Sequence, residues 1–287
     1  MSREQPEHQA SALNGHGFLG PDDPPAVEIV NARGAASAVL MCDHASNRVP
    51  ASLASLGLPG GELERHIAWD IGAAAVTRRL ARLLDAPAVM SGFSRLVIDC
   101  NRYLWDVQSV PESSDGTGIP GNRDATPQDV EDRIRHCFAP YHEAASRMIS
   151  GIEGRWRPPA VIFMHSFTPS MNGEMRPWHV GVLWERDGRM ALPALEALRQ
   201  RGDLVVGDNE PYSALEPRGY SMPHHATRDG RPALQFEIRQ DLIADDAGVE
   251  TWAGIIADVL RPLLAEDALY QRLTRGGDLI HGRDHTH

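Results

Sequence analysis

Polar side chains follow or interrupt three apolar, strand-like runs of the sequence. Asp43 and His44 come directly after "VLMC", His165 follows "VIFM", and Glu237 lies within "LQFEIR". A short apolar run bounded by a turn is typical of a buried parallel strand, and ligands bind beyond the carboxyl ends of such strands. Neutral imidazoles with one carboxylate can hold catalytic zinc, and a further carboxylate can act as general base. A metal site and a purely structural role for the two histidines remain equally open at this point.

A third metal ligand is less obvious from the sequence. His66 and Asp70 are four residues apart on one predicted helical turn, so both could reach the same site. An exposed pair on a solvated helix face is the alternative. Asp43 and Asn47 are further candidates, although the neutral amide of asparagine is a poor ligand for zinc.

The stretch "SRLVIDCNRY" carries residues suited to binding an acidic substrate. Arg95 and Arg102 could each bind a carboxylate through two guanidinium N–H groups, and the Asn101 amide could help to orient that carboxylate. Arg95 could equally be a structural ion-pair partner. His225, beside His224, could supply a proton donor or an oxyanion stabiliser, or it could be a solvated loop residue.

The elements that must position these residues are short strands alternating with helices, which indicates an α/β class with a mixed or parallel sheet. Helices are predicted from Arg65 to Leu84, from a Thr126 cap onwards, and from Trp252 to Leu263. We expect residues 1–25 to be a disordered leader, residues 26–275 to form a single α/β domain, and residues 276–287 to be a loose tail. The predicted strands are "SAVLMC", "APAVMS", "RLVIDC", "AVIFMH", "HVGVLW", "DLVVGD" and "ALQFEIR".

Composition narrows the possible partners. The 287 residues include 28 basic and 39 acidic ones, and the resulting net charge of −11 argues against general binding of nucleic acid or anionic membranes. No apolar stretch is long enough to span a bilayer. Three cysteines without a CxxC pair predict a reducing, cytoplasmic compartment. We therefore expect a small-molecule partner, and the sequence gives no prediction of oligomeric state.

Taken together, these motifs resemble the N-formylglutamate amidohydrolase family. The resemblance runs from about Ala38 to Leu242. It implies a three-layer αβα fold with a mixed, mostly parallel sheet, phosphorylase/hydrolase-like and related to the zinc carboxypeptidases. It also implies cleavage of a formamide or similar amide bond, in the family's role releasing formate and glutamate during histidine breakdown. The blocks that carry it are "CDHASNRVP", "HIAWDIGA", "SRLVIDCNRY", "SDGTGIPGNRD", "HSFTP", "GVLWERD" and "FEIRQDLI".

The resemblance also implies roles for the residues singled out above. His44 and His165 would hold one divalent metal ion, zinc, and Glu237 would activate its water. The carboxypeptidase-type HxxE pattern has its glutamate where this chain has Asn47. The third ligand must come from elsewhere; Asp70 is favoured and Asp43 comes next. Arg95, Asn101 and Arg102 would bind the carboxylates of the substrate.

The leading hypothesis is a metal-dependent amidohydrolase acting on an N-formyl or N-acyl amino acid such as N-formylglutamate, with Glu237 as base and His225 as a further catalytic group. One alternative is a metal-free small-molecule-binding or regulatory protein on the same scaffold. Another is a thiol hydrolase that uses Cys42 with His44, although burial of Cys42 would raise the pKa of its thiol.

Overall fold

The centre of the molecule is a seven-stranded sheet. A computed structural model describes residues 17–155, 157–171, 173–214 and 219–273. In these ranges two small hairpins accompany the sheet. The strands in chain order are β1 (Val27–Val30), β2 (Ala38–Cys42), β3 (Ala88–Ser91), β4 (Ser113–Ser114), β5 (Thr117–Gly118), β6 (Ala160–Phe167), β7 (Ser170–Met171), β8 (Glu174–Met175), β9 (Val180–Leu183), β10 (Val206–Asp208) and β11 (Ala233–Arg239).

The sheet is mixed and mostly parallel, as predicted. Its spatial order is β1-β3-β2-β6-β11-β9-β10, while β4 pairs with β5 and β7 with β8. The four central strands β3, β2, β6 and β11 run parallel to one another. The edge strand β1 is antiparallel to β3, and β9 is antiparallel to β11. The carboxyl ends of β2, β6 and β11 therefore meet at one edge of the sheet.

Helices cover both faces of the sheet and complete the three predicted layers. The helices are α1 (Ala73–Leu83), α2 (Pro120–Arg123), α3 (Pro127–Arg133), α4 (Ala139–Glu153), α5 (Gly188–Gln200), α6 (Ser221–His225) and α7 (Asp246–Ala265). Side chains alternate between the faces: Ala38 and Leu40 pack against helices α1, α5 and α7 on one side, whereas Val39 and Met41 pack against helix α4 on the other. Short 3₁₀ turns span Ala51–Gly57, Glu62–Glu64, Thr227–Asp229, Gln240–Leu242 and Asp267–Tyr270.

The predicted strand "RLVIDC" is wrong. Residues 95–100 form consecutive turns, which begin where the Val97 amide donates to the Ser94 carbonyl. The apolar side chains Leu96, Val97 and Ile98 are buried, but in a cluster separate from the sheet core. These residues are buried because the loop packs against neighbouring elements. An apolar pattern alone does not distinguish such a buried loop from a buried strand.

The predicted helix from Arg65 starts eight residues later than expected, at Ala73. Gly72 precedes it with φ of +81°, and a Cβ there would meet the Ile243 carbonyl oxygen at 2.4 Å. Only glycine fits this left-handed, closely packed position. Asp70 consequently lies in a turn, and its amide donates to the His44 carbonyl, which ties it to the end of β2.

The predicted helix after Thr126 is present but divided. Thr126 and Asp129 form a reciprocal capping box, and α3 follows. A π-turn over Ile134–Phe138 then leads into α4. Pro140 lies in the first turn of α4, directly after this π-turn, where its missing N–H is tolerated.

The segment predicted as a disordered leader is partly described. In residues 17–25, Phe18 stacks on His136 with ring centroids 5.2 Å apart, and the Ala51 amide donates to Asp23. This part of the segment therefore packs against the body of the molecule, contrary to expectation. The rest of the leader, residues 1–16, and the predicted tail, residues 276–287, lie outside the described residues.

Candidate functional site

Three buried side chains converge at the carboxyl edge of the sheet. His44 follows β2, His165 lies in β6, and Asp70 lies in the turn before α1. The Oδ2 atom of Asp70 is 3.3 Å from His44 Nδ1 and 2.8 Å from His165 Nδ1. One potential ligand atom from each residue lies within 4.8 Å of the others. These are the residues that the sequence singled out as candidate metal ligands, with Asp70 as the favoured third.

The Nε2 atom of each histidine lies next to a carboxylate other than that of Asp70. His44 Nε2 lies 2.7 Å from Asp99 Oδ1, and His165 Nε2 lies 3.2 Å from Asp43 Oδ2. Each ring therefore has a carboxylate at both nitrogens, because Asp70 faces the Nδ1 atoms of both. This donor set fits a divalent cation: with a cation between Asp70 and the two Nδ1 atoms, each Nε2 would keep its proton and donate it to Asp99 or Asp43.

The charges of the site are strongly coupled. Burial alone would raise the pKa of Asp70, but the two histidines outweigh burial and hold it well below its usual range. For His165, burial opposes protonation, yet Asp43 and Asp70 raise its pKa well above the ordinary value. The site therefore attracts positive charge, which a proton or a metal ion can supply.

Glu237 lies on β11 directly opposite His165 of β6, on the same face of the sheet. Its Oε1 accepts a hydrogen bond from Gln235 Nε2 at 2.7 Å, whereas its Oε2 is buried without a partner among the described residues. Burial raises the pKa of Glu237 to about 7. A carboxylate in this state can accept a proton near neutral pH, which is the property required of a general base.

These groups line a cavity of about 770 Å³. Its size is within the range of small-molecule binding sites. Arg95, Asn101 and Arg102 also line it, as the sequence analysis anticipated for substrate-binding residues.

Each of these three residues has structural partners as well. Arg95 Nη2 donates to Asp99 Oδ2 at 2.7 Å, and its Nη1 lies 3.3 Å from His44 Nδ1. Arg102 Nε is 4.0 Å from Asp99. The Asn101 side-chain oxygen accepts from the backbone amides of Tyr220 and Ser221, so its carbonyl group supports that loop.

His225 is not brought to the cavity wall. It is buried at the end of α6, where its Nε2 lies 2.9 Å from His142 Nδ1. Burial and the neighbouring His142 lower the pKa of His225 to about 3. The geometry gives no support to the predicted catalytic role, because His225 faces another histidine instead of the cavity.

The remaining residues that the sequence analysis considered as ligands or nucleophiles do not join the group of His44, Asp70 and His165. Asp43 lies behind His165 as its hydrogen-bond partner, and Asn47 is not among the residues that line the cavity. His66 lines the cavity next to Asp115, outside any helix, so the shared helical turn predicted for His66 and Asp70 is wrong. Cys42 is fully buried and does not line the cavity, and burial raises the pKa of its thiol far above the usual value, which argues against the thiol-hydrolase hypothesis.

Comparison with known proteins identifies the family. A sequence profile of the N-formylglutamate amidohydrolase family matches residues 36–244, which is well over half of the chain. The chain belongs to this family. The resemblance found in the sequence motifs is thereby confirmed, and membership of the N-formylglutamate amidohydrolase family makes the protein a hydrolase that acts on amide bonds.

Solved structures agree with this assignment. Gene product Atu2144 from Agrobacterium tumefaciens is 33% identical, with a TM-score of 0.83 over 86% of this chain and 98% of that one. N-formylglutamate amidohydrolase from Ralstonia eutropha JMP134 is 19% identical, with a TM-score of 0.62 over 84% of this chain and 97% of that one, and it shares the fold. Among curated proteins, none matches the chain. Membership of the amidohydrolase family gives no support to the hypothesis of a binding protein without enzymatic activity.

Among the residues that the structure describes, none of the helices combines the length and the hydrophobicity that a membrane span requires.

Proposed function

We propose that the protein is a metal-dependent amidohydrolase that cleaves the amide bond of an N-formyl or N-acyl amino acid. The observation that carries this proposal is the convergence of His44 Nδ1, His165 Nδ1 and Asp70 Oδ2 beside the unpartnered Oε2 of Glu237. Family membership supports the amide as the bond that is cleaved. The three free cysteines support a reducing, cytoplasmic location for the reaction.

His44, His165 and Asp70 would hold one divalent ion, and we propose zinc. Two imidazoles and one carboxylate, with a position left open, form a ligand set that catalytic zinc uses. When bound, such an ion polarises the substrate carbonyl group and lowers the pKa of water.

Glu237 would transfer the proton during hydrolysis. Its Oε2 accepts a proton from the attacking water, whose oxygen forms a bond to the amide carbon. The C–N bond then breaks, and Glu237 returns the proton to the leaving nitrogen. The products are a carboxylic acid, formate for a formyl substrate, and the free amine. The hydrogen bond from Gln235 to Oε1 leaves Oε2 as the atom available for this role.

Arg95 and Arg102 would orient the substrate through its carboxylate. Both line the cavity on the side of Asp99, next to the ligand histidine His44. Guanidinium groups bind carboxylates in fixed geometry, so they would bring the amide bond to Glu237 in one orientation.

The test is release of formate from N-formyl-L-glutamate by protein purified without a His-tag or chelator, combined with metal analysis by mass spectrometry. We expect about one divalent ion per chain, loss of activity after chelation, and recovery with zinc. Full activity in thoroughly chelated, metal-free protein would refute the metal-dependent mechanism. Chelator-sensitive release of carboxylate from other N-acyl amino acids, but not from N-formylglutamate, would keep the mechanism and change the substrate.

A further inference from the structure

Behind each proposed ligand histidine lies a buried carboxylate with no other assigned function. Asp43 is 1% exposed and Asp99 is 2% exposed. We propose that Asp43 and Asp99 are positioning residues, which fix the proton of His165 and of His44 on Nε2 and thereby direct both Nδ1 atoms towards the metal. This inference rests on the proposed metal-dependent function, and it extends that function to two residues outside the ligand set.

Asp43 is held entirely by groups of the protein interior. Its Oδ2 lies 3.2 Å from His165 Nε2. Its Oδ1 accepts hydrogen bonds from the Tyr141 hydroxyl at 2.6 Å and from the Ser221 hydroxyl at 2.7 Å. Since both donors are neutral, the negative charge of Asp43 remains available to His165.

Asp99 is held differently, because it faces the substrate cavity. Its Oδ1 lies 2.7 Å from His44 Nε2 and also accepts from the Asn101 backbone amide at 2.8 Å. Its Oδ2 accepts from Arg95 Nη2 at 2.7 Å. Asp99 therefore connects a metal ligand with an arginine that lines the cavity.

The two carboxylates act on their histidines for the same physical reason. A carboxylate that accepts from one ring nitrogen fixes the tautomer and the ring orientation, and it makes the other nitrogen a stronger base. Loss of such a partner typically weakens metal binding by about tenfold to a hundredfold. The contacts predict one difference: replacement of Asp99 also disturbs Arg95 and hence substrate binding, whereas replacement of Asp43 leaves Arg95 in place.

The experiment compares the zinc affinity of the wild-type protein with that of Asp43→Asn and Asp99→Asn, measured by competition with a chromophoric chelator. Asparagine keeps the shape of the side chain but removes its charge. Asp115→Asn is the matched control, because Asp115 lines the same cavity but pairs with Arg65 and His66. We expect affinity to fall about tenfold to a hundredfold in the two test variants and to stay at the wild-type value in the control.

A second measurement separates positioning from loss of folding. In ¹⁵N-labelled metal-free protein, two-bond ¹H–¹⁵N spectra report which ring nitrogen of each histidine carries the proton. We expect Asp43→Asn to change the state of His165 alone and Asp99→Asn that of His44 alone. If either variant is unfolded by circular dichroism, Tyr141→Phe and Ser221→Ala test Asp43, and Arg95→Lys tests Asp99, each with a smaller loss of zinc affinity.

The steady-state kinetics complete the test. With saturating zinc, Asp99→Asn should raise KM for N-formyl-L-glutamate, whereas Asp43→Asn should leave KM near the wild-type value. Wild-type zinc affinity and unchanged histidine spectra in both variants would overturn the inference while leaving the proposed function intact. Absence of zinc binding by the wild-type protein itself would overturn both.

Discussion

Two buried histidine clusters lie on the same side of the sheet, and their surroundings give them opposite properties. In the first, His44 and His165 each lie between two carboxylates, and the pKa of both is raised although burial opposes it. In the second, His142 and His225 lie against each other with ring centroids 5.2 Å apart and an interplanar angle of 18°.

Among the residues that the structure describes, no carboxylate is in hydrogen-bond contact with the rings of the second cluster. His142 Nε2 donates to the Cys100 carbonyl, and the neighbouring rings are Phe138, Tyr141, Tyr220 and His224. Burial lowers the pKa of His142 to about 4 and that of His225 to about 3. A buried histidine is therefore a candidate metal ligand or a neutral structural group according to the carboxylates beside it.

The largest expected difference between the clusters concerns metal content. His165→Ala should reduce the bound metal from about one ion per chain to almost none, because two ligands remain where catalytic zinc uses three. His225→Ala is the matched control and should keep its metal and its amidase activity. Elemental analysis of both proteins, purified in parallel, tests this prediction. Metal loss in His225→Ala but not in His165→Ala would reverse the assignment of the two clusters.

A large but distinct effect is expected at Glu237, which belongs to the first cluster without being a ligand. Glu237→Gln should retain the metal and lower kcat by roughly 10²- to 10⁴-fold, the usual contribution of a general base. Gln235→Leu, which removes the hydrogen bond to Oε1, should have a weaker effect in the same direction. Wild-type turnover in Glu237→Gln would show that another group accepts the proton.

The stability of the second cluster should depend on pH. His142 and His225 are neutral in the folded protein down to about pH 4 and 3, whereas a histidine in the unfolded chain gains its proton near pH 6.5. At these two histidines the unfolded state therefore binds more protons below pH 6.5, so their contribution to the free energy of unfolding falls as the pH decreases through this window. Each group contributes at most about 1.4 kcal/mol per pH unit.

Urea unfolding between pH 6.5 and 4.5 measures this slope. His225→Gln should make it shallower, because one titrating group is removed. An unchanged slope in His225→Gln would mean that His225 is protonated in the folded state.

The smallest expected effect is at the border of the second cluster. The Tyr220 hydroxyl lies 3.0 Å from His224 Nδ1, in a partly buried position. Tyr220→Phe should lower the free energy of unfolding by about 1 kcal/mol, the value of one such hydrogen bond, and leave the metal content unchanged. Thermal unfolding and elemental analysis together check this, and loss of metal would indicate that the clusters are coupled.

The first cluster could largely be predicted from the sequence, and the second could not. His44, His165 and Glu237 each follow or lie within an apolar run, and parallel strands bring their carboxyl ends together. The contact of His142 with His225 spans 83 residues and depends on how α4 packs against α6. No periodic pattern in the sequence encodes such a contact between two helices.

Two details of the first cluster also required the structure. Asp70 was predicted on a helix, but it reaches the site from a turn that Gly72 makes possible. Asp99 was expected at the end of a strand, and it lies instead in a series of turns that direct its carboxylate to His44. In both cases tertiary contacts decided the backbone conformation, while the residue type and its approximate place in the chain were visible in the sequence.

The decisive measurement for the proposed metal site is anomalous scattering at the zinc absorption edge from crystals of the zinc-reconstituted protein. We predict one strong peak, about 2.0–2.2 Å from His44 Nδ1, His165 Nδ1 and an Asp70 carboxylate oxygen. A peak bound by other residues, or none at this position in protein that requires zinc for activity, would contradict it.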